Sequence, residues 1–400
     1  MIYKLKNVIQ EYKWGSKTEI QKLLGLSNNK AINNKPINRP MAELWMGAHP
    51  KAPSEVIKEN GNIPLTKLIN NNPDKVLGEK VAKEFGAKLP FLFKVLAAGQ
   101  SLSIQSHPNI NQAESGYEEE NSKNIPLDAK NRNYKDKNHK PELICALTEF
   151  WAMRGFRPIP DIDTELKSLK LESLKNITEY FFDNLTKTGL KDFFNAIMRI
   201  DEKVKLVREV LEKTENLKES RYQWIRKLNK EHPDDIGVIC PLLLNIVKLE
   251  PGQAMFLPAG ELHSYLLGTG MEIMANSDNV LRGGLTAKHI DVDELLKTLT
   301  FESGLPEIIL PTNTDKNEDS YISRAEEFKL FRINLDTGSE YKKTDIETIE
   351  IMIITEGSCR INSPDLKSTI QADKGDSFLI EACTEKYSIN GKCLIFKATV

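Results

Sequence analysis

From Asp161 to His232 the chain has no proline and one glycine, Gly189, although its 400 residues hold 19 prolines and 22 glycines. So long a stretch without turn punctuation does not fit short strands joined by tight turns. It is dense in Leu, Lys and Glu. Phe193, Phe194, Ile197 and Met198 recur at helical spacing, as do Val207, Val210 and Leu211. That periodicity predicts helices with one apolar face each. Pro158 and Pro160 precede the block and Pro233 follows it. A helical module therefore interrupts two regions of another kind.

Those regions read as strands and turns. Leu89–Leu96 is a mostly apolar run followed by Gly99 and predicts a buried strand. Leu243–Leu249 is an apolar run, Pro251-Gly252 a turn, and Ala254–Leu257 the next short strand. Thr312–Asp319 is polar and reads as a linker. Beyond it, apolar runs at 350–354, 378–380 and 393–396 alternate with turns. A chain of this length exceeds one ordinary core, so two or three domains are expected. With 55 basic and 57 acidic side chains the net charge is −2, which offers no electrostatic footprint for nucleic acid. Charges interrupt the first dozen residues, and no apolar stretch approaches a membrane span. Five scattered cysteines without a Cys-x-x-Cys pair suggest neither a disulfide framework nor a zinc ribbon. A reduced cytoplasm is the expected setting, with no membrane partner.

Four segments could carry chemistry. In Gly99–Pro108, strand alternation puts Gln105 and His107 on one face, where an amide oxygen and an imidazole nitrogen could share a metal. Alone, such a pair also fits a hydrogen-bonded strand end. In Gly252–His263, the spacing Gly-x5-Pro-x-Gly-x2-His places a histidine after two tight turns. This resembles the second cupin motif. The first segment resembles the first, with Gln105 in the place of a histidine, and Glu142 in Asn138-His-Lys-Pro-Glu-Leu143 is the candidate for its carboxylate. A long insertion, roughly residues 109 to 138, must then intervene. In Met274–His289, Arg282 and Lys288 could grip an anion, and Gly283-Gly284 would let backbone approach a ligand. A solvated loop is the competing account. Tyr12-Lys-Trp-Gly15 and Ala42–Gly47 could line a sugar pocket, although tryptophan is more often core than ligand platform.

Taken together, Tyr12–Gly15, Ala42–Gly47 with His49-Pro50, Gln105–Pro108, Asn138–Leu143 with Gly155–Pro158, Pro258–His263 and Ser277–Arg282 resemble the type I phosphomannose isomerase family. The resemblance spans residues 3 to about 291 and is weak over the last hundred. It implies one Zn2+ per chain on Gln105, His107, Glu142 and His263. It implies pocket residues Trp14, Ser103, Lys140, Glu272, Asp278, Arg282 and Lys288. Two departures are visible: Ser106 stands where a valine is usual, and Ala287 where a proline is usual.

The implied fold is mainly β, with two cupin-like (jelly-roll) β domains and an α-helical insertion domain. The expected division is a catalytic barrel from residues 1–158 and 236–311, the insertion at 159–235, and a C-terminal barrel at 320–400. Lys374–Ile380 resembles the opening of Gly252–Leu257, but no histidine follows His289, so the second barrel should hold no metal. The implied activity interconverts mannose 6-phosphate and fructose 6-phosphate through an enediolate. Arg282 and the metal would stabilise the anion. Lys140, Glu272 and Asp278 are rivals for proton transfer, while Trp14, Ser103 and Lys288 would bind substrate. A non-catalytic sugar-phosphate-binding cupin and a metal-dependent cupin oxygenase are the alternatives. Oligomeric state is not legible, and a monomer is compatible with the sequence.

Overall fold

The computed structural model describes residues 1–26, 39–364, 366 and 369–400. Two antiparallel sheets of ten and eleven strands carry the chain, and a block of helices is inserted in the first. No helix among the described residues is long and apolar enough to cross a membrane.

The ten-stranded sheet is organised by one strand, His263–Ala275. Its first part pairs with Phe150–Phe156, and His263 lies opposite Gln105. Its second part pairs with Phe91–Ala98 on one side and Glu142–Ala146 on the other. A register shift between Tyr265 and Leu267 and the positive φ of Gly268 (120°) turn the strand between these partners. A Cβ on Gly268 would stand 2.5 Å from the carbonyl oxygen of Glu149, so only glycine fits the bend. By this turn the sheet closes round an interior.

Alternation then sorts the side chains. Lys94, Leu96, Glu142 and Glu272 face a cavity inside the barrel. Their neighbours Phe93, Val95, Leu143, Cys145, Met271 and Ile273 pack outside, in one apolar cluster with Phe328, Leu330, Ile349, Ile351, Ile353 and Phe396 of the second sheet. Both faces of these strands are covered, which is why Phe91–Ala98 is buried at every position and reads as a near-continuous apolar run.

The proline-free block forms the helices Ile159–Leu169, Lys175–Asp183, Lys187–Met198, Lys203–Thr214 and Ser220–Glu231. Thr186 caps the third by accepting the amide hydrogen of Gly189 at 3.1 Å. Leu190, Phe193, Phe194, Ile197 and Met198 form its buried face. The block leaves the sheet at Phe156 and returns at Leu244, which is Phe156's partner in the ladder. The insertion expected near 109–138 contains the helix Ile110–Ser122, opened by a capping box between Asn109 and Gln112.

Three features differ from the expectations. Thr312–Asp319 is no linker, because Thr312–Asp315 and Glu318–Tyr321 form a hairpin on the second sheet. The outer strand is exposed throughout, so it lacks an apolar pattern. The N-terminal strand Ile2–Lys6 pairs with Ser377–Ile380 and so belongs to the second sheet by hydrogen bonding. Three short helices, Leu65–Asn71, Pro73–Leu77 and Glu79–Phe85, occupy a stretch read as turns; Pro73 and Gly78 cut them below the length at which periodicity shows.

The second barrel buries a lysine. Lys397, 2% exposed, reaches Glu318 at 2.6 Å and Glu350 at 3.4 Å and lies over the Phe331 ring. Tyr341 and Tyr387 donate to the same two carboxylates. Burial opposes the ammonium charge, but Glu350 and Glu318 outweigh it and raise its pKa. Lys397→Met leaves two buried carboxylates without their cation. It should lower the unfolding free energy by about 3–5 kcal/mol in urea denaturation.

Candidate metal and anion site

His107, Glu142 and His263 come from three separate strand ends, and their ligand atoms lie within 4.8 Å of one another. Each is at most 2% exposed. The imidazoles are oriented from behind. Nδ1 of His107 lies 2.7 Å from the carbonyl oxygen of Asn279, and Nδ1 of His263 lies 3.0 Å from that of Glu261. A ring nitrogen facing a carbonyl must donate, which leaves Nε2 as the bare lone pair. Those two Nε2 atoms are buried without a hydrogen bond. They lie 3.3 and 3.5 Å from the Glu142 oxygens, but the angles are wrong for hydrogen bonding. Burial, with Lys140 nearby, holds the His107 pKa down to about 4, so the ring is neutral and available. Burial opposes the charge of Glu142, but the Lys140 ammonium helps to outweigh it, and the carboxyl stays well below its usual range. Two orphan imidazole lone pairs and one buried carboxylate fit a divalent ion.

Gln105 lies across the ladder from His263 and Arg282 and lines the cavity. The strand ends at Ser106, so His107 follows the strand instead of sitting within it. Ser106, where the family usually has valine, is fully buried and its hydroxyl has no hydrogen-bond partner among the described residues. Asn279 locks the loops behind His107: its side chain accepts from the amide of Lys135 at 2.6 Å and donates to the carbonyl oxygens of Asp136 and Asn138.

Above Glu142 opens a cavity of about 730 Å3, lined among others by Trp14, Ser103, Gln105, Lys140, Glu272, Arg282 and Lys288. Arg282 is half-buried, Lys288 sits at the rim, and neither has an acidic partner among the described residues. Burial lowers the pKa of both, and Arg282 adds to the shift of Lys288. Two unneutralised cations in one wall make that wall a place for an anion. Asp278 stands apart in an adjoining recess of about 180 Å3, which shares Tyr12, Glu43, Lys94 and Lys140 with the main cavity. There it binds Lys51 at 2.7 Å and faces His49 at 3.5 Å. These contacts outweigh its burial and depress its pKa.

The Gly283-Gly284 expectation needs correction. A Cβ on Gly284 would come within 2.7 Å of the Gly237 backbone, and one on Gly283 would meet only side chains at ordinary distance. The close approach serves packing against Ile236–Leu242, not a ligand. The sequence reading also missed Lys94, which is 6% exposed, binds Glu272 at 2.7 Å and lies 3.8 Å from Glu43. Burial works against its charge, and the two glutamates more than offset it. A single lysine inside an otherwise apolar strand was the available signal. Tyr265, whose hydroxyl lies 3.5 Å from Glu142, and the pair Glu231 and His232 were missed as well.

A two-histidine, one-carboxylate cluster beneath a cationic cavity inside a β-barrel defines a metal-binding barrel of the cupin class. Residues 2–159 match the family model for the phosphomannose isomerase type I catalytic domain. The mannose-6-phosphate isomerase of Salmonella typhimurium is 45% identical over 302 residues, 75% of each chain. That of Homo sapiens is 32% identical over 430 residues, covering 99% of this chain and 98% of its own. A crystal structure of zinc-bound mannose 6-phosphate isomerase aligns with a TM-score of 0.91 at 37% identity, over 99% of this chain and 98% of that one. The chain belongs to the type I phosphomannose isomerase family.

The purified protein should carry about one zinc per chain, because the described residues supply one complete ligand set. His263→Ala should reduce zinc to background by elemental analysis. An unchanged zinc content in that variant would place the ion elsewhere.

Proposed function

We propose that this chain is a zinc-dependent isomerase that interconverts mannose 6-phosphate and fructose 6-phosphate, with Gln105, His107, Glu142 and His263 as the metal ligands. The observation that carries the reading is the pairing of a buried ligand cluster with two unneutralised cations in the cavity above it. When bound, the ion supplies Lewis-acid polarisation of the sugar oxygens. The remaining work belongs to the chain's own side chains.

Isomerisation moves a proton between C2 of the aldose and C1 of the ketose, through an enediolate. The anion that forms needs a fixed positive partner, and the substrate phosphate needs a grip that positions C1 and C2. Arg282 takes the first role: its planar, permanently charged guanidinium stands in the wall without a competing carboxylate. Lys288 and Ser103 take the second, with Trp14 as an apolar wall for the sugar. Proton transfer falls to Lys140 or Glu272, which both line the main cavity. Burial raises the Glu272 pKa while Lys94 holds its charge, an environment that suits a general base. Asp278, in the adjoining recess, is already engaged by Lys51 and His49 and has the weaker claim.

A coupled assay with mannose 6-phosphate tests the reading directly. Turnover should be lost on chelation and restored by zinc. In deuterated water the product should gain label at the carbon that receives the proton. Undiminished turnover by metal-free protein would overturn the metal-dependent course.

Arg282→Lys keeps the charge and loses the fork. Activity should fall at least about tenfold, or roughly 1.4 kcal/mol of transition-state stabilisation. Near-parent kinetics would remove Arg282 from the catalytic machinery.

A further inference from the structure

The segment Gly99–Ser103 leads into the strand that carries Gln105, and four of its backbone amides have identified acceptors. Those of Gly99 and Gln100 donate to the carbonyl oxygen of Trp14, and that of Leu102 donates to Tyr265. The acceptor for Ser101 comes from elsewhere. Its amide and its hydroxyl both donate to one oxygen, Oε2, of Glu231, at 2.9 and 2.7 Å. Ser101 is 3% exposed, so water is no substitute. His232 Nε2 lies 3.0 Å from the same hydroxyl oxygen. With that hydroxyl's hydrogen committed to Glu231, the ring nitrogen is the donor.

Glu231 is the last residue of the helical block's final helix, and it lines the cavity. No cation pairs with it among the described residues. Four residues on, Asp235 grips the loop between Arg282 and Lys288: its carboxylate accepts from the amides of Leu285 and Thr286, at 2.8 and 3.1 Å. One short stretch at the exit of the helical block thus holds both loops that flank the anion-binding wall.

We propose that Glu231 is a positioning residue for substrate binding, acting through Ser101 to hold the loop that presents Ser103. The helical block is thereby part of the active site. The inference rests on the isomerase reading above. Because a single glutamate oxygen takes both hydrogen bonds, a glutamine carbonyl can replace it, whereas alanine cannot.

Steady-state kinetics of Glu231→Ala and Glu231→Gln, run beside the parent holoenzyme with mannose 6-phosphate, test it. The alanine variant should raise KM at least about tenfold while kcat stays within about threefold. The glutamine variant should return KM to within about threefold of the parent. Zinc content of both variants and the Tm of the glutamine variant should match the parent. An unchanged KM in the alanine variant, a glutamine variant as impaired as alanine, or a loss confined to kcat or zinc would overturn the proposal. A parent that fails to turn over mannose 6-phosphate would instead overturn the isomerase reading.

Discussion

A carboxylate that is 2% exposed must have positive charge or strong donors around it, and Glu142 is that carboxylate. Lys140 at 3.1 Å supplies the charge and the Tyr265 phenol at 3.5 Å a donor, while two bare imidazole nitrogens face the same oxygens. None of these neighbours is adjacent in sequence except Lys140. Bringing them together requires strands that are distant in the chain to lie side by side, and His263–Ala275 does this by pairing with four others. The backbone behind each imidazole is fixed in turn, His107 by the Asn279 loop and His263 by the turn at Glu261. A buried charge and the turn that bends one strand thus determine each other.

Strand alternation distributes the consequences. The inward face of the first barrel carries the cavity's polar groups beside a small apolar cluster, and its outward face is one half of a hydrocarbon core shared with the second sheet. The second sheet therefore fixes the backs of the strands whose fronts carry Lys94, Glu142 and Glu272. The second barrel has its own interior charges, Glu318 and Glu350, with Lys397 between them. An ammonium tethered to the chain meets the need for positive charge there, and histidine is absent from that part of the sequence.

What was legible in the sequence is what local chemistry dictates. The Gly252–His263 turns, the uninterrupted helices and the strand at Ala254–Leu257 follow from glycine, proline and periodicity within a dozen residues. Lys94 could not be assigned in this way, because its role depends on Glu43 and Glu272 across two ladders. The glycines at 283 and 284 show the opposite error. Close approach holds for Gly284 alone, and the sequence does not say that Gly237 is what approaches it. Asp278 lies in the motif that suggested it, yet its side chain enters the adjoining recess with Lys51. Loop composition does not reveal such a direction.

Phe156 and Leu244 are ladder partners, so topologically the whole helical block is the loop of a β-hairpin. Closing a flexible loop of that length costs roughly 3 kcal/mol more entropy than closing a tight turn. The block offsets that cost by burying Phe181, Leu190, Phe193 and Ile225 in one apolar cluster with Phe156, Leu244 and Leu266 of the sheet. Once its helices are packed, the two strands are joined by a body of fixed dimensions, and the hairpin closes almost as a short one would. Glu231 and Asp235, at the exit of that body, arrive at the cavity already placed.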